Sequence, residues 1–202
     1  MNNINNKFIL IEGLDGTGKS SIIQGLKDRL RFVSVHSPGS SYDKNKEYVQ
    51  KCDEFTQFFY YMGANFDISQ KIKSIMDTGN SVICDKYFPT TISALSFYSG
   101  ISIQSLKKMT DEFIRQLVFP SVVLYIYVSP EIRCQRIINR KSESNNKTDN
   151  LFIKNKESQI VAESILQDYI RLTFDKYFFI NAEEDINTVI HKIEDVLHNG
   201  FS

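Results

Sequence analysis

Phe8-Ile9-Leu10-Ile11-Glu12-Gly13-Leu14-Asp15-Gly16-Thr17-Gly18-Lys19-Ser20-Ser21 is the stretch that decides the fold of this chain. An unbroken apolar run passes into the pattern G-x-x-x-x-G-K-[ST], from Gly13 to Ser20, and from there into residues with helical spacing. The run fits a strand buried on both faces. Glycines let the backbone turn tightly and aim its N–H groups inward, and the start of the following helix adds its positive end. Such a loop cradles phosphate oxygens. Gly13, Asp15, Gly16, Thr17, Gly18, Lys19, Ser20 and Ser21 are therefore the expected nucleotide-binding residues. Lys19 is expected to reach the β- and γ-phosphates of ATP, and Ser20 to supply a ligand for Mg2+.

Outward from this stretch, further apolar runs occur at Arg31–His36, Ser81–Asp85, Ser121–Val128 and Lys176–Asn181, each separated from the last by helical-looking sequence. Alternating strand and helix predicts parallel strands joined by right-handed crossovers. Because the runs are apolar at nearly every position, helices are expected on both faces of the sheet. Ser20 to Leu30 carries Ile22, Ile23, Leu26 and Leu30 at helical intervals, and Asp53 to Met76 carries a stripe through Phe55, Phe58, Phe59, Met62, Phe66, Ile72 and Ile75. Ser129-Pro130-Glu131 predicts a capping hydroxyl, a first-turn proline and an acid at the start of a helix running to about Arg140. Residues 141–150, KSESNNKTDN, contain no apolar side chain and read as a loop, and a last amphipathic helix is expected after Asn181-Ala182-Glu183. With no internal repeat and no long linker, residues 1–202 are expected to form one domain.

Composition limits what such a domain can bind. Lysine plus arginine equals aspartate plus glutamate, 24 against 24, so the chain as a whole has no field for a long polyanion. Anion binding must be local, and neither a nucleic acid polymer nor a membrane surface is the expected partner. Four prolines and nine glycines in 202 residues, with 42% hydrophobic residues, exclude a disordered or collagen-like chain. Cys52, Cys84 and Cys134 are odd in number and far apart, which fits reduced thiols. The first residues, Met1-Asn2-Asn3-Ile4-Asn5-Asn6, lack a secretory pattern, and a cytoplasmic location is expected.

Asp85-Lys86-Tyr87 leaves the third apolar run on the same sheet edge as the glycine-rich loop, where parallel sheets bind ligands. Asp85 is placed to orient magnesium through water or to accept a proton, and Lys86 to neutralise a transferring phosphoryl group. The same two residues also fit an ordinary strand-end ion pair. Arg133, Arg136 and Arg140 lie three and four residues apart; Arg136 and Arg140 fit either phosphate contacts or a solvated basic face, and Arg133 fits the solvated face. With Lys141 and Lys147, the polar segment fits either a lid that excludes water or a plain surface loop. The histidines His36, His191 and His198 have no metal-ligand spacing.

The ordered set FILIEGLDGTGKSS, VHSPG, FFYYMGAN, DKYFPTT and VVLYIYVSPEIRCQRIINR resembles the thymidylate kinase family over nearly the full chain. That resemblance implies a P-loop NTPase three-layer α/β fold, with a five-stranded parallel sheet, helices on both faces and a short lid at about 141–150. It also implies a homodimer that moves the γ-phosphoryl group of ATP to a nucleoside monophosphate with Mg2+. By resemblance Asp15 meets the acceptor sugar hydroxyl, Asp85 matches the aspartate of an Asp-Arg-Tyr motif, and Arg136 and Arg140 match arginines before the lid. Lys19, Asp85, Lys86 and Arg140 are the implied catalytic residues, Ser20 and Asp85 the metal-side residues, and Asp15, Pro38, Phe59, Asn65, Phe66 and Tyr87 the acceptor-binding residues. Gly16, where some members carry arginine, implies that catalytic positive charge comes from the lid, with Arg140, Lys141 and Lys147 as candidates. Three departures fall on the acceptor side: Ser37 in the turn His36-Ser37-Pro38-Gly39 removes a charged group, Lys86 replaces the motif arginine, and Phe66 stands where the family reads the thymine ring with arginine. A deoxynucleoside kinase and a nucleotide-binding module without turnover are the alternatives; Ser37 counts against the first, and Lys19, Ser20 and Asp85 against the second.

Overall fold

Every residue of β1 (Phe8–Glu12) is buried, so this strand has to lie inside a sheet with both faces covered. The computed structural model describes residues 6–139 and 155–200 and places β1 at the centre of a five-stranded sheet. Its partners are β2 (Val33–His36), β3 (Val82–Asp85), β4 (Val122–Tyr127) and β5 (Tyr177–Asn181), all parallel, in the order β2-β3-β1-β4-β5. Ile9 lies opposite Ile83 on one side and Val122 on the other. All five expected strands are present. The central ones are buried almost throughout and apolar up to Glu12 and Asp85 at the ends of β1 and β3, whereas β2, at an edge, leaves Val33 exposed.

Side-chain alternation divides the core into two layers. Phe8 and Leu10 point toward α3 (Glu54–Asp77), α4 (Phe88–Ser99), α5 (Ile103–Ile114) and α7 (Lys156–Thr173). Ile9 and Ile11 point the other way, toward α1 (Lys19–Lys27) and α8 (Ile186–Gly200). Two smaller helices complete the described elements, α2 (Lys46–Val49) after a 3-10 turn at Ser40–Asn45, and α6 (Pro130–Ile138) after β4. The result is the expected three-layer arrangement, with helices on both faces of a parallel sheet. No described helix is long and apolar enough to cross a membrane.

Helix starts differ in whether a local side chain caps them. Asp53 caps α3 by accepting from the N–H groups of Phe55 and Thr56 at 3.0 Å each. Ser129 occupies the expected cap position of α6, but its hydroxyl makes no capping bond. Pro130, at the first helical position, carries no N–H, and the Ser129 N–H itself donates to Glu183 Oε1 at 2.6 Å. That contact ties the start of α6 to the segment leaving β5. Arg140 and the expected lid at 141–150, with Lys141 and Lys147, lie outside the described residues.

Candidate active site

The glycine-rich loop leaves the carboxyl end of the central strand and feeds α1, which begins at Lys19. Gly13 has φ of +140°, and a Cβ there would collide with the carbonyl oxygen of Ile126 in β4. Gly16 has φ of +91°, and its Cβ would stand 2.8 Å from Ile137 Cγ1 and 3.0 Å from Arg133 Cγ. Both positions therefore require glycine for conformation and for space. Thr17 is buried, and its hydroxyl donates to Leu14 O at 3.0 Å, bracing the loop. Lys19 is 6% exposed and its ammonium donates to Gly13 O and Leu14 O at 2.9 Å each. Burial pulls its pKa down to about 8, and repulsion from Lys86 adds to this against the opposing pull of Asp15, Asp85 and Glu12.

Register brings the end of β3 beside the loop, because Ile11 pairs with Asp85. There Asp15, Gly16, Gly18, Lys19, Ser20, Ser21, His36, Asp85 and Lys86 line one cavity of about 290 Å³. Asp85 Oδ2 lies 3.6 Å from His36 Nδ1, while Asp85 Oδ1 is buried with no hydrogen-bond partner among the described residues. Burial pushes the Asp85 carboxyl up, but the His36 hydrogen bond and the charges of Lys19 and Lys86 outweigh it and hold the pKa below its ordinary value. Lys86 adopts φ of +63°, an uncommon left-handed backbone for a side chain of this size. From it the Lys86 ammonium reaches Asp15 Oδ1 at 2.6 Å. Burial acts to lower the Lys86 pKa, yet Asp15, Asp85 and Glu12 together raise it.

Of the two basic residues described on α6, Arg136 ties loop to sheet, donating to Thr17 O at 3.1 Å and to Ala182 O at 2.9 Å. Arg133 corrects the solvated-face expectation: it is 2% exposed, donating to Asp15 O at 3.3 Å and to Gln159 Oε1 in α7 at 3.2 Å. Its stem fills the space beside Gly16 that the absent side chain leaves. No spacing rule within α6 reveals that gap.

On the acceptor side the expected residues separate. Asn65 is fully buried, accepting from the Ser37 hydroxyl at 2.7 Å and donating to Thr91 Oγ1 at 2.9 Å, so it joins the turn after β2 to α3 and α4. Pro38 is half-buried in that turn. Phe66 is half-buried against the core layer below α3, and Phe59 is 66% exposed because Phe58 takes the inward position of that helical turn. Tyr87, expected at the acceptor, is 1% exposed, with its ring 5.8 Å from that of Phe8 and 5.0 Å from that of Phe88. None of these five side chains belongs to the cavity wall. Two wall-side residues were not singled out by sequence: His36, on the wall itself, and Glu12, immediately beneath it with 0% exposure. Burial first of all pushes the Glu12 carboxyl up to about 7, against hydrogen bonds from Thr90 and Tyr87 and the charges of Lys86 and Lys19.

A phosphate-cradling loop at the central strand of a parallel sheet, facing a carboxylate and a lysine at the carboxyl end of the neighbouring strand, defines a nucleotide-binding α/β protein of the P-loop kinase class. Residues 11–193 match the model of the thymidylate kinase family, and the chain belongs to that family of nucleoside monophosphate kinases. It is similar to the thymidylate kinase of Staphylococcus epidermidis strain RP62A, 24% identical over 198 residues that cover 92% of this chain and 94% of that one. The thymidylate kinase of Ligilactobacillus salivarius is 24% identical over 210 residues, covering 96% and 98%. That of Chlamydia abortus is 27% identical over 204 residues, covering 92% of each. In fold the chain is similar to the crystal structure of thymidylate kinase from Ehrlichia chaffeensis, with a TM-score of 0.71 at 20% identity over 95% of this chain and 98% of that one.

Proposed function

We propose that this chain transfers the γ-phosphoryl group of ATP to thymidylate, giving dTDP and ADP. One observation carries this: the loop lysine and serines, and the Asp15, Asp85 and Lys86 side chains opposite them, share a single cavity. Donor and acceptor phosphates entering from the two sides meet there. Lys19, now held by loop carbonyls, turns to the β- and γ-phosphates, while the loop N–H groups and the start of α1 hold the remaining oxygens. The acceptor divides the Asp15–Lys86 pair, its sugar hydroxyl taking the carboxylate and its phosphate the ammonium. A phosphate acceptor needs little deprotonation, so catalysis is positioning together with charge neutralisation.

The donor set fits magnesium: Ser20 is exposed on the wall, and Asp85 Oδ1 is a buried carboxylate oxygen with no hydrogen-bond partner among the described residues. Bound there, the ion would supply positive charge to the triphosphate, with Ser20 as ligand and Asp85 orienting it. Lys86 presents a point charge in place of a planar guanidinium, so it neutralises the acceptor phosphate without a two-pronged grip. The whole chain acts as one kinase domain in this reading, in the cytoplasm, where three free thiols are at home. A homodimer belongs to the same reading, supported by exposed apolar side chains on α3 and α5 such as Phe59, Met109 and Phe113. The test is ADP release with ATP and magnesium across a panel of nucleoside monophosphates and nucleosides. Turnover with thymidylate supports the assignment; turnover with free nucleosides alone overturns it.

A further inference from the structure

Glu12 has no part in the transfer just described, yet it is a fully buried carboxylate. The two-residue period of β1 puts it on the same face as Phe8 and Leu10, where an apolar side chain would be expected. Instead its Oε1 accepts the Tyr87 N–H at 3.0 Å and its Oε2 accepts the Thr90 hydroxyl at 2.6 Å. Tyr87 is the N-cap of α4 and its side chain makes no capping bond; Thr90 lies in the first turn. Glu12 thus caps α4 from another element, with its charge at the favourable end of the helix.

The turn it grips contains Lys86 in its left-handed backbone conformation. β1 holds that residue from both sides, since Ile11 O accepts the Lys86 N–H at 3.0 Å and Glu12 accepts the N–H that follows. Cys84 Sγ adds a contact to Lys86 O at 3.0 Å. A backbone in so sparsely populated a region persists only where its surroundings impose it. We propose that Glu12 is a positioning residue for the acceptor side, its carboxylate locking the Lys86–Tyr87 turn so that the Lys86 ammonium faces Asp15 across the cavity. Gly13 follows Glu12 directly, so the same strand end sets both the phosphate loop and the acceptor lysine. The kinetic consequence rests on the phosphoryl-transfer reading; the structural one does not.

Glu12→Leu removes both contacts while keeping a side chain of similar bulk. KM for the nucleoside monophosphate should rise about ten- to a hundredfold, the scale of a misplaced positioning group, while KM for ATP stays within about twofold. Glu12→Gln keeps an oxygen for the Tyr87 N–H and should recover most of the lost kcat/KM. Thr90→Val, which deletes one contact and spares the carboxylate, should raise the acceptor KM about threefold and serves if Glu12→Leu does not fold. Acceptor KM values unmoved by Glu12→Leu and Thr90→Val, or both substrates weakened in proportion, would overturn the proposal. A wild-type protein inert toward every acceptor would instead sink the phosphoryl-transfer reading. The Lys86 ammonium signal in nitrogen-15 NMR then decides the matter without substrate. It should be protected from exchange in the wild type and lose that protection in Glu12→Leu or Thr90→Val; protection unchanged in the variants overturns the proposal.

Discussion

Replacing Glu12 by glutamine should make the protein more stable at neutral pH and above. The wild-type carboxyl is fully buried, and its pKa is raised from the ordinary 4.5 to about 7, burial being the largest cause. Between those values the folded protein keeps a proton that the unfolded chain has given up, so stability falls as pH rises through this window and levels off above it. At about 1.4 kcal/mol per pH unit, the displacement corresponds to about 3 kcal/mol. Glutamine has no proton to lose and resembles the protonated acid in shape, so the variant lacks this loss. Urea unfolding of both proteins followed by circular dichroism, at about pH 4 and about pH 8, measures the difference. Subtracting one protein from the other removes every other titrating group. The variant should gain about 3 kcal/mol on the wild type between the two conditions. An unchanged difference, or a gain by the wild type, would refute the reasoning. The predicted gain marks Glu12 as a site where stability is given up because position matters more.

Two further substitutions test separate parts of the site. Gly16→Ala must accept a φ of +91° and a Cβ 2.8 Å from Ile137, and should lower stability by about 2–4 kcal/mol in thermal unfolding and weaken ATP binding in calorimetry. Asp15→Asn breaks the pair with Lys86 where the carboxylate is one-third exposed, so unfolding free energy should change by less than about 1 kcal/mol. In the same variant, steady-state kinetics should show the acceptor KM raised about tenfold and the ATP KM nearly constant.

The strands and the phosphate loop were legible because each announces itself locally. An apolar run such as Phe8–Ile11 fits little besides a buried strand, and the glycine pattern at its end has its meaning in backbone geometry. Asp53 shows its capping role within three residues of itself. Glu12 does not, since its partners Tyr87 and Thr90 are 75 and 78 positions away and nothing in FILIEG distinguishes a capping carboxylate from a strand-end acid. Arg133 escaped for a related reason: helical spacing shows which residues share a face, and only the packing of α6 on Gly16 shows that this face is buried. Phe59 and Tyr87 show the converse. Resemblance assigned both to the acceptor, and the structure turns one outward and the other into the core.

The central claim is that the loop around Lys19 and the Asp15–Lys86 side of the same cavity carry phosphoryl transfer to thymidylate. ADP release from ATP and magnesium, measured with thymidylate for the wild type and for Lys19→Ala, tests it most directly. The wild type should release ADP only when thymidylate is present, and Lys19→Ala, folded by circular dichroism, should be slower by about a hundredfold or more. A wild type that releases no ADP with thymidylate, or a Lys19→Ala variant as active as the wild type, would contradict the claim.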